Sequence, residues 1–181
     1  MDEQLRFAVL VGSRLQAAGI PYMVTGSMAL AVYAVPRMTR DIDLVIECRP
    51  DDAERIANLF QADCYVDVAE IRDAVVHRSM FNVIHNEWII KADFIIRKND
   101  EYRRLEFSRR REIQIAGVSM TFVSPEDLVL SKLAWSKASG SELQLRDVRT
   151  LVSSVSTLDW PYLEQWAATI SVSTLLQEVR V

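Results

Sequence analysis

The chain has 181 residues, half of them hydrophobic, with 25 acidic against 21 basic side chains and a net charge of −4. That apolar content excludes a disordered chain and supplies one core, or a core with a helical extension. The negative balance excludes a broadly basic nucleic-acid coat but leaves room for a local basic patch. Asp2 and Glu3 stand where a secretory leader would carry basic residues. No apolar run reaches the about 18 residues that a bilayer span needs, so a cytoplasmic protein is expected. Cys48 and Cys64 lie far apart, without metal-ligand spacing, and are expected as buried or partly buried thiols.

Apolar residues at Leu5, Ala8, Val9, Leu15 and Ala18 predict a first helix over 2–18, ended by Gly19 and Pro21. A short buried strand is expected over 22–25 and a helix over 27–35, stopped by Pro36. Arg37 and Arg40 flank a loop into a second strand over 42–46. Pro50, Asp51 and Asp52 start a helix to about residue 61, with acids at the positive end of its dipole. Residues 62–78 read two ways, as a strand over 65–68 and as a short helix over 69–77.

Strands over 80–85 and 88–97 around Asn86-Glu87 predict a hairpin, with Lys91, Asp93 and Ile95 on one face. Residues 97–112 carry arginines interleaved with acids, which favours a solvated, self-neutralising segment over an RNA guide. A second hairpin turns at Ala116-Gly117. Ser124, Pro125, Glu126 and Asp127 form a helix start, with the serine as cap and proline at the first helical position. That helix runs to about 137, and two more follow over 143–155 and 162–170. His77 and His85 read as structural. Trp88, Trp135, Trp160 and Trp166 read as core or interface anchors.

The stretch that organises the chain is VTGSMALAVYAVPRMTRDIDLVIE, which begins at Val24. Gly26-Ser27 falls where a strand gives way to a helix. Asp41 and Asp43 project from one face of the next strand while Ile42, Leu44 and Ile46 point into a core. Adjacent carboxylates repel unless a cation lies between them, and Mg²⁺ takes one or two carboxylates alongside waters and substrate phosphates. An ion pair with Arg37 and Arg40, or a solvated edge, is the other reading of the two aspartates.

Gly26-Ser27, a helix, then Asp41-Ile42-Asp43 on a strand resembles the signature of the DNA polymerase β-like nucleotidyltransferase superfamily. The resemblance implies an α/β (α+β) fold: a polymerase β-like nucleotidyltransferase core with a mixed sheet, helices mainly on one face, followed by C-terminal helices. It places the core over 1–123 and a helical region packed on it over 124–181. It implies phosphate binding at Gly26 and Ser27, where helix-terminal amides can hold phosphate oxygens. It implies Mg²⁺ (or Mn²⁺) at Asp41 and Asp43. It also implies a third carboxylate from a neighbouring strand, for which Asp93 is the candidate. Asp93 lies between Ala92 and Phe94, where a carboxylate is costly without a partner. Pairing with Lys91 is its alternative.

Ser124 to Leu133 together with Leu145-Arg146-Asp147-Val148 is similar to the C-terminal motifs of the AbiEii/AbiGii toxin-type nucleotidyltransferases. That likeness implies that Lys132 contacts nucleotide phosphates and that Asp147 lies close to the site. Arg149 stands where that family often carries a second aspartate. The resemblance implies an enzyme that moves NMP from an NTP, ATP among them, to a hydroxyl of RNA (tRNA) or protein, with an antitoxin protein as a further partner. A non-catalytic nucleotide- or partner-binding relative and an antibiotic nucleotidyltransferase are the alternatives.

Overall fold

A computed structural model describes residues 2–36, 39 and 41–180. Arg37 and Arg40, the arginines expected beside Asp41, lie outside the described residues.

Helix α1 (Glu3–Ala17) begins where the Asp2 carboxylate accepts the Leu5 amide. It is followed by β1 (Tyr22–Val24), α2 (Gly26–Tyr33) and β2 (Asp41–Ile46). A 3₁₀ turn at Pro50–Asp52 leads into α3 (Ala53–Phe60). The ambiguous stretch holds both elements: a two-residue strand, β3 (Cys64–Tyr65), then α4 (Val68–His77). Its N-cap Asp67 accepts from the Ala69 amide.

Strands β4 (Met80–His85) and β5 (Lys91–Ile96) pair antiparallel, as the hairpin reading expects. The second strand begins at Lys91, later than expected. Ile89 has φ 51 and its amide reaches back to the His85 carbonyl, so 86–88 are turn residues. Trp88 therefore stacks on His85 at 3.9 Å between ring centroids instead of entering the strand.

The charge-dense segment forms α5 (Glu101–Ser108) and β6 (Arg111–Ile115), and β7 (Val118–Phe122) completes the second hairpin. The C-terminal part is α6 (Pro125–Ser139), α7 (Glu142–Ser154), α8 (Trp160–Thr169) and α9 (Ser173–Val179), the last unforeseen. Among the described residues no helix is long and apolar enough to cross a membrane.

The strands form one seven-stranded mixed sheet in the order β3-β4-β5-β2-β1-β7-β6. β2 runs antiparallel to β1 but parallel to β5. One face, with Ile42, Leu44, Ile46, Phe81, Val83, Ala92 and Phe94, is buried. Phe60 of α3 meets Phe94 edge-on, and Phe7 of α1 meets His85 edge-on. The opposite face of β4-β5-β2 is left open: Val45, Asn82, Ile84 and Ile95 are half-buried and Met80 is exposed. Strand alternation therefore puts the apolar set under the helices and the acidic set on the uncovered side. Both thiols are free, and burial pushes Cys48 up to about 11 and Cys64 to about 12.

Candidate active site

The open face is organised by register. Asp43 on β2 and Asp93 on β5 are direct cross-strand partners, as are Asp41 and Lys91. Partners in register share a face, with Cβ atoms about 5 Å apart. The two halves of the acidic set, fifty positions apart in the chain, are thus side by side because β2 and β5 run parallel.

Gly26 closes on the same carboxylate. It has φ +63, and a methyl group there would lie 2.0 Å from Asp43 Oδ2 and 2.7 Å from its Cγ. Both the left-handed backbone and the close approach demand glycine. The Thr25 amide donates to the Asp43 carbonyl at 2.9 Å, so the end of β1 and the start of α2 are tied to the aspartate. Ser27 is buried in the first turn of α2, which has no acidic residue and receives no side-chain cap from Thr25.

Charge accumulates at Asp43. Burial holds its proton affinity above the ordinary carboxylate range, and Asp93 and Asp41 raise it further, against the pull of Lys132 and Lys91. Lys91 lies across the acidic row: its Nζ donates to Asp93 Oδ2 at 2.9 Å and stands 3.8 Å from Asp41 Oδ1. The hydrogen bond to Asp93 raises the lysine's own pKa. The pairing alternative for Asp93 is thus present, but it uses one oxygen. Asp93 is 7% exposed, and its Oδ1 is buried without a hydrogen-bond partner among the described residues.

Lys132 does not reach the surface. It is 3% exposed, and its Nζ donates to Asp147 Oδ2 at 2.7 Å and Gln144 Oε1 at 3.0 Å, joining α6 to α7. Its charge is still felt at Asp43. Sequence reasoning missed Gln144, which α7 places one turn before Asp147 on the same side.

A cleft of about 440 Å³ opens beside Asp43, walled by Gly26, Val45, Ile95, Leu128, Lys132 and Trp135. Trp135, expected as a core or interface anchor, is 53% exposed there. The arginines of 97–112 are engaged internally: Arg97 with Glu47, Arg103 with Glu106, and Arg109 with Asp127 and Glu126.

Among the described residues no three His, Cys, Asp or Glu side chains converge on one point as they stand. The donors nevertheless suit a hard divalent cation. They are oxygens only, Asp41 and Asp43 share a face, and Asp93 Oδ1 has no partner of its own.

The architecture is that of nucleotidyltransferase-like proteins, and solved structures share it. An antigenic nucleotidyltransferase-like protein from Paracoccidioides brasiliensis superposes with a TM-score of 0.62 at 16% identity, over 99% of this chain and 92% of that one. ANT(2″)-Ia in complex with adenylyl-2″-tobramycin gives 0.63 at 11% identity, over 94% and 98%. The lincosamide antibiotic adenylyltransferase LnuA, bound to lincomycin, gives 0.55 at 14% identity, over 86% and 99%. At these identities the likeness is one of fold. No family model and no curated protein matches the sequence.

Proposed function

We propose that the chain is a nucleotidyltransferase that moves NMP from an NTP to an acceptor hydroxyl. The observation that carries this reading is the row Gly26, Asp43, Asp93: a glycine packed on one carboxylate and a second carboxylate beside it with an oxygen to spare.

In this reading the amides at Gly26-Ser27 and the ammonium of Lys132 hold the phosphates. The cleft beside Asp43 takes the nucleoside, whose base can lie on the exposed face of Trp135. Asp41, Asp43 and Asp93 would hold Mg²⁺ or Mn²⁺. That ion, when bound, neutralises the crowded carboxylates and polarises the phosphoryl oxygens. Asp93 Oδ1 takes the proton of the acceptor hydroxyl as its oxygen bonds to the α-phosphorus. The bond from the α-phosphorus to the bridging oxygen breaks, and pyrophosphate leaves on the Gly26 side. Lys91 holds Asp93 Oδ2 and so aims the other oxygen.

The likeness of Lys132 and Asp147 to the toxin-type motifs supports an RNA or protein acceptor and an antitoxin partner. A second reading, a small hydroxylated acceptor, is supported by the adenylyl-tobramycin and lincomycin held by two of the structural neighbours. The test is NTP affinity by calorimetry beside transfer of label from each NTP to RNA, lysate protein and small acceptors. Asp93→Asn should bind NTP with Mg²⁺ about as wild type does and lose transfer by on the order of 10² or more. Transfer by Asp93→Asn at the wild-type rate removes Asp93 from the chemistry.

A further inference from the structure

The acidic row does not end at Asp93. On the far side of β5, Asn82 of β4 is the direct register partner of Asp93, as Asp43 is on the near side. Gly26, Asp43, Asp93 and Asn82 therefore form one line across four neighbouring elements of the open face. Along β4, Asn82 is set between Met80 and Ile84, whose side chains share its face while Phe81 and Val83 are in the core.

Asn82 Oδ1 is buried and has no hydrogen-bond partner among the described residues; Asp93 Oδ1 is in the same condition. These two unpaired oxygens belong to side chains directly opposite each other on adjacent strands. Leaving one polar atom buried and unmatched costs about 1–3 kcal/mol, so a neighbouring pair of them marks a place built for something outside the fold. The argument does not depend on how the amide is turned, since either orientation presents one polar atom toward the same place.

The direction of the reaction says what belongs there. In phosphoryl and nucleotidyl transfer the attacking and leaving oxygens lie roughly in line through the phosphorus. On the reading above, the leaving pyrophosphate is on the Gly26 side of Asp43. The attacking hydroxyl must then come from the opposite side, past Asp93 and over β4. We infer that Asn82 is the acceptor-positioning residue: its amide and Asp93 Oδ1 together receive the acceptor's hydroxyl group, with Met80 and Ile84 bearing on the acceptor's apolar surface. Asp93 takes the proton, and the amide holds the hydroxyl without exchanging one. This inference rests on the proposed nucleotidyl transfer, and its experiment separates the two.

The variant is Asn82→Leu in the full chain. Binding of α,β-methylene-ATP with Mg²⁺, followed by calorimetry, should be unchanged, since Asn82 stands away from the phosphates. Transfer from α-labelled ATP is measured with total cellular RNA and, in parallel, with tobramycin. Transfer to whichever acceptor wild type labels should fall about tenfold or more, the worth of one well-placed hydrogen bond. The loss should appear in the KM for acceptor or in kcat, with the KM for ATP unmoved. The melting temperature should hold or rise, because an unpaired amide is replaced by an apolar side chain. Three results overturn the inference alone: transfer at the wild-type rate, an equal loss of nucleotide affinity, or a marked fall in melting temperature that reveals a structural amide. If wild type binds the analogue yet labels no acceptor, the proposed transfer falls, and the role of Asn82 falls with it.

Discussion

Gly26 and Gly140 separate two reasons for a glycine. Both have positive φ, +63 and +69, but nothing lies within 4 Å of a methyl group at Gly140, whereas one at Gly26 would overlap the Asp43 carboxylate. Gly140→Ala should therefore cost only the left-handed backbone, about 1 kcal/mol. Gly26→Ala should cost more and also push Asp43 aside. Urea midpoints measure the first difference, and the thermal shift with ATP and Mg²⁺ measures the second. A full nucleotide shift in Gly26→Ala would return Gly26 to the role of a plain turn residue. Asp43 carries a separate cost. Its folded pKa is raised, so its contribution to stability is present below the ordinary carboxylate range and is lost as pH rises through the folded value. Asp43→Asn should then be more stable than wild type at pH 7, with the gap closing as pH falls toward 4. A gap that is constant with pH would mean that Asp43 is not held away from its ordinary ionisation.

At the scale of elements, sequence patterning reached most of the secondary structure, because burial and alternation coincide in β2, β4 and β5. It could not reach neighbourhood. That Asp43 lies beside Asp93 depends on a parallel pairing of strands fifty residues apart, and a period-two pattern is silent about partners. Asn82 had a legible sign: it is the polar residue between Met80 and Ile84 on the face that carries no core residue. The meaning of Asp127 was also hidden. Within the sequence it reads as part of a helix start, and its amide does receive the cap from Ser124. In the fold its fully buried carboxylate accepts from Ser124 Oγ at 2.6 Å, Tyr162 OH at 2.6 Å and Arg109 Nε at 3.0 Å. It thereby joins α6 to α8 and to the end of α5. Removing that one acceptor strands a guanidinium and two hydroxyls together. Asp127→Ala should destabilise by about 3 kcal/mol or more in urea denaturation, well beyond the about 1 kcal/mol of a lost cap. A loss no larger than that of a cap would mean that the tyrosine and arginine contacts contribute nothing net.

For the whole molecule, the question is whether 1–123 and 124–181 are separable, as the resemblance implies in dividing core from helical region. The packing argues that they share one interior. Leu128, Val129, Leu130 and Leu133 of α6 belong to the same buried cluster as Val24 of β1 and Leu30 of α2. Tyr33 of α2 donates to the Val123 carbonyl at 2.7 Å, where the chain passes from β7 toward α6. The Lys132–Asp147 pair then ties α6 to α7 on the side that faces the candidate site. Nothing in that arrangement lets the helices melt while Gly26 and Asp43 keep their places. The full chain should therefore unfold in one transition, with far-UV circular dichroism following the whole fold. Tryptophan fluorescence, dominated by Trp135, Trp160 and Trp166, should report the helical region at the same midpoint. ATP with Mg²⁺ should move both signals together, because a ligand bound at the N-terminal half stabilises whatever unfolds with it. A fragment ending at Val123 should lack a cooperative transition, since it would expose the apolar surface that α6 covers. Two separated midpoints in the full chain, or a fragment that melts cooperatively and retains the nucleotide shift, would make the helical region an appendage and confine the site to the sheet and α2.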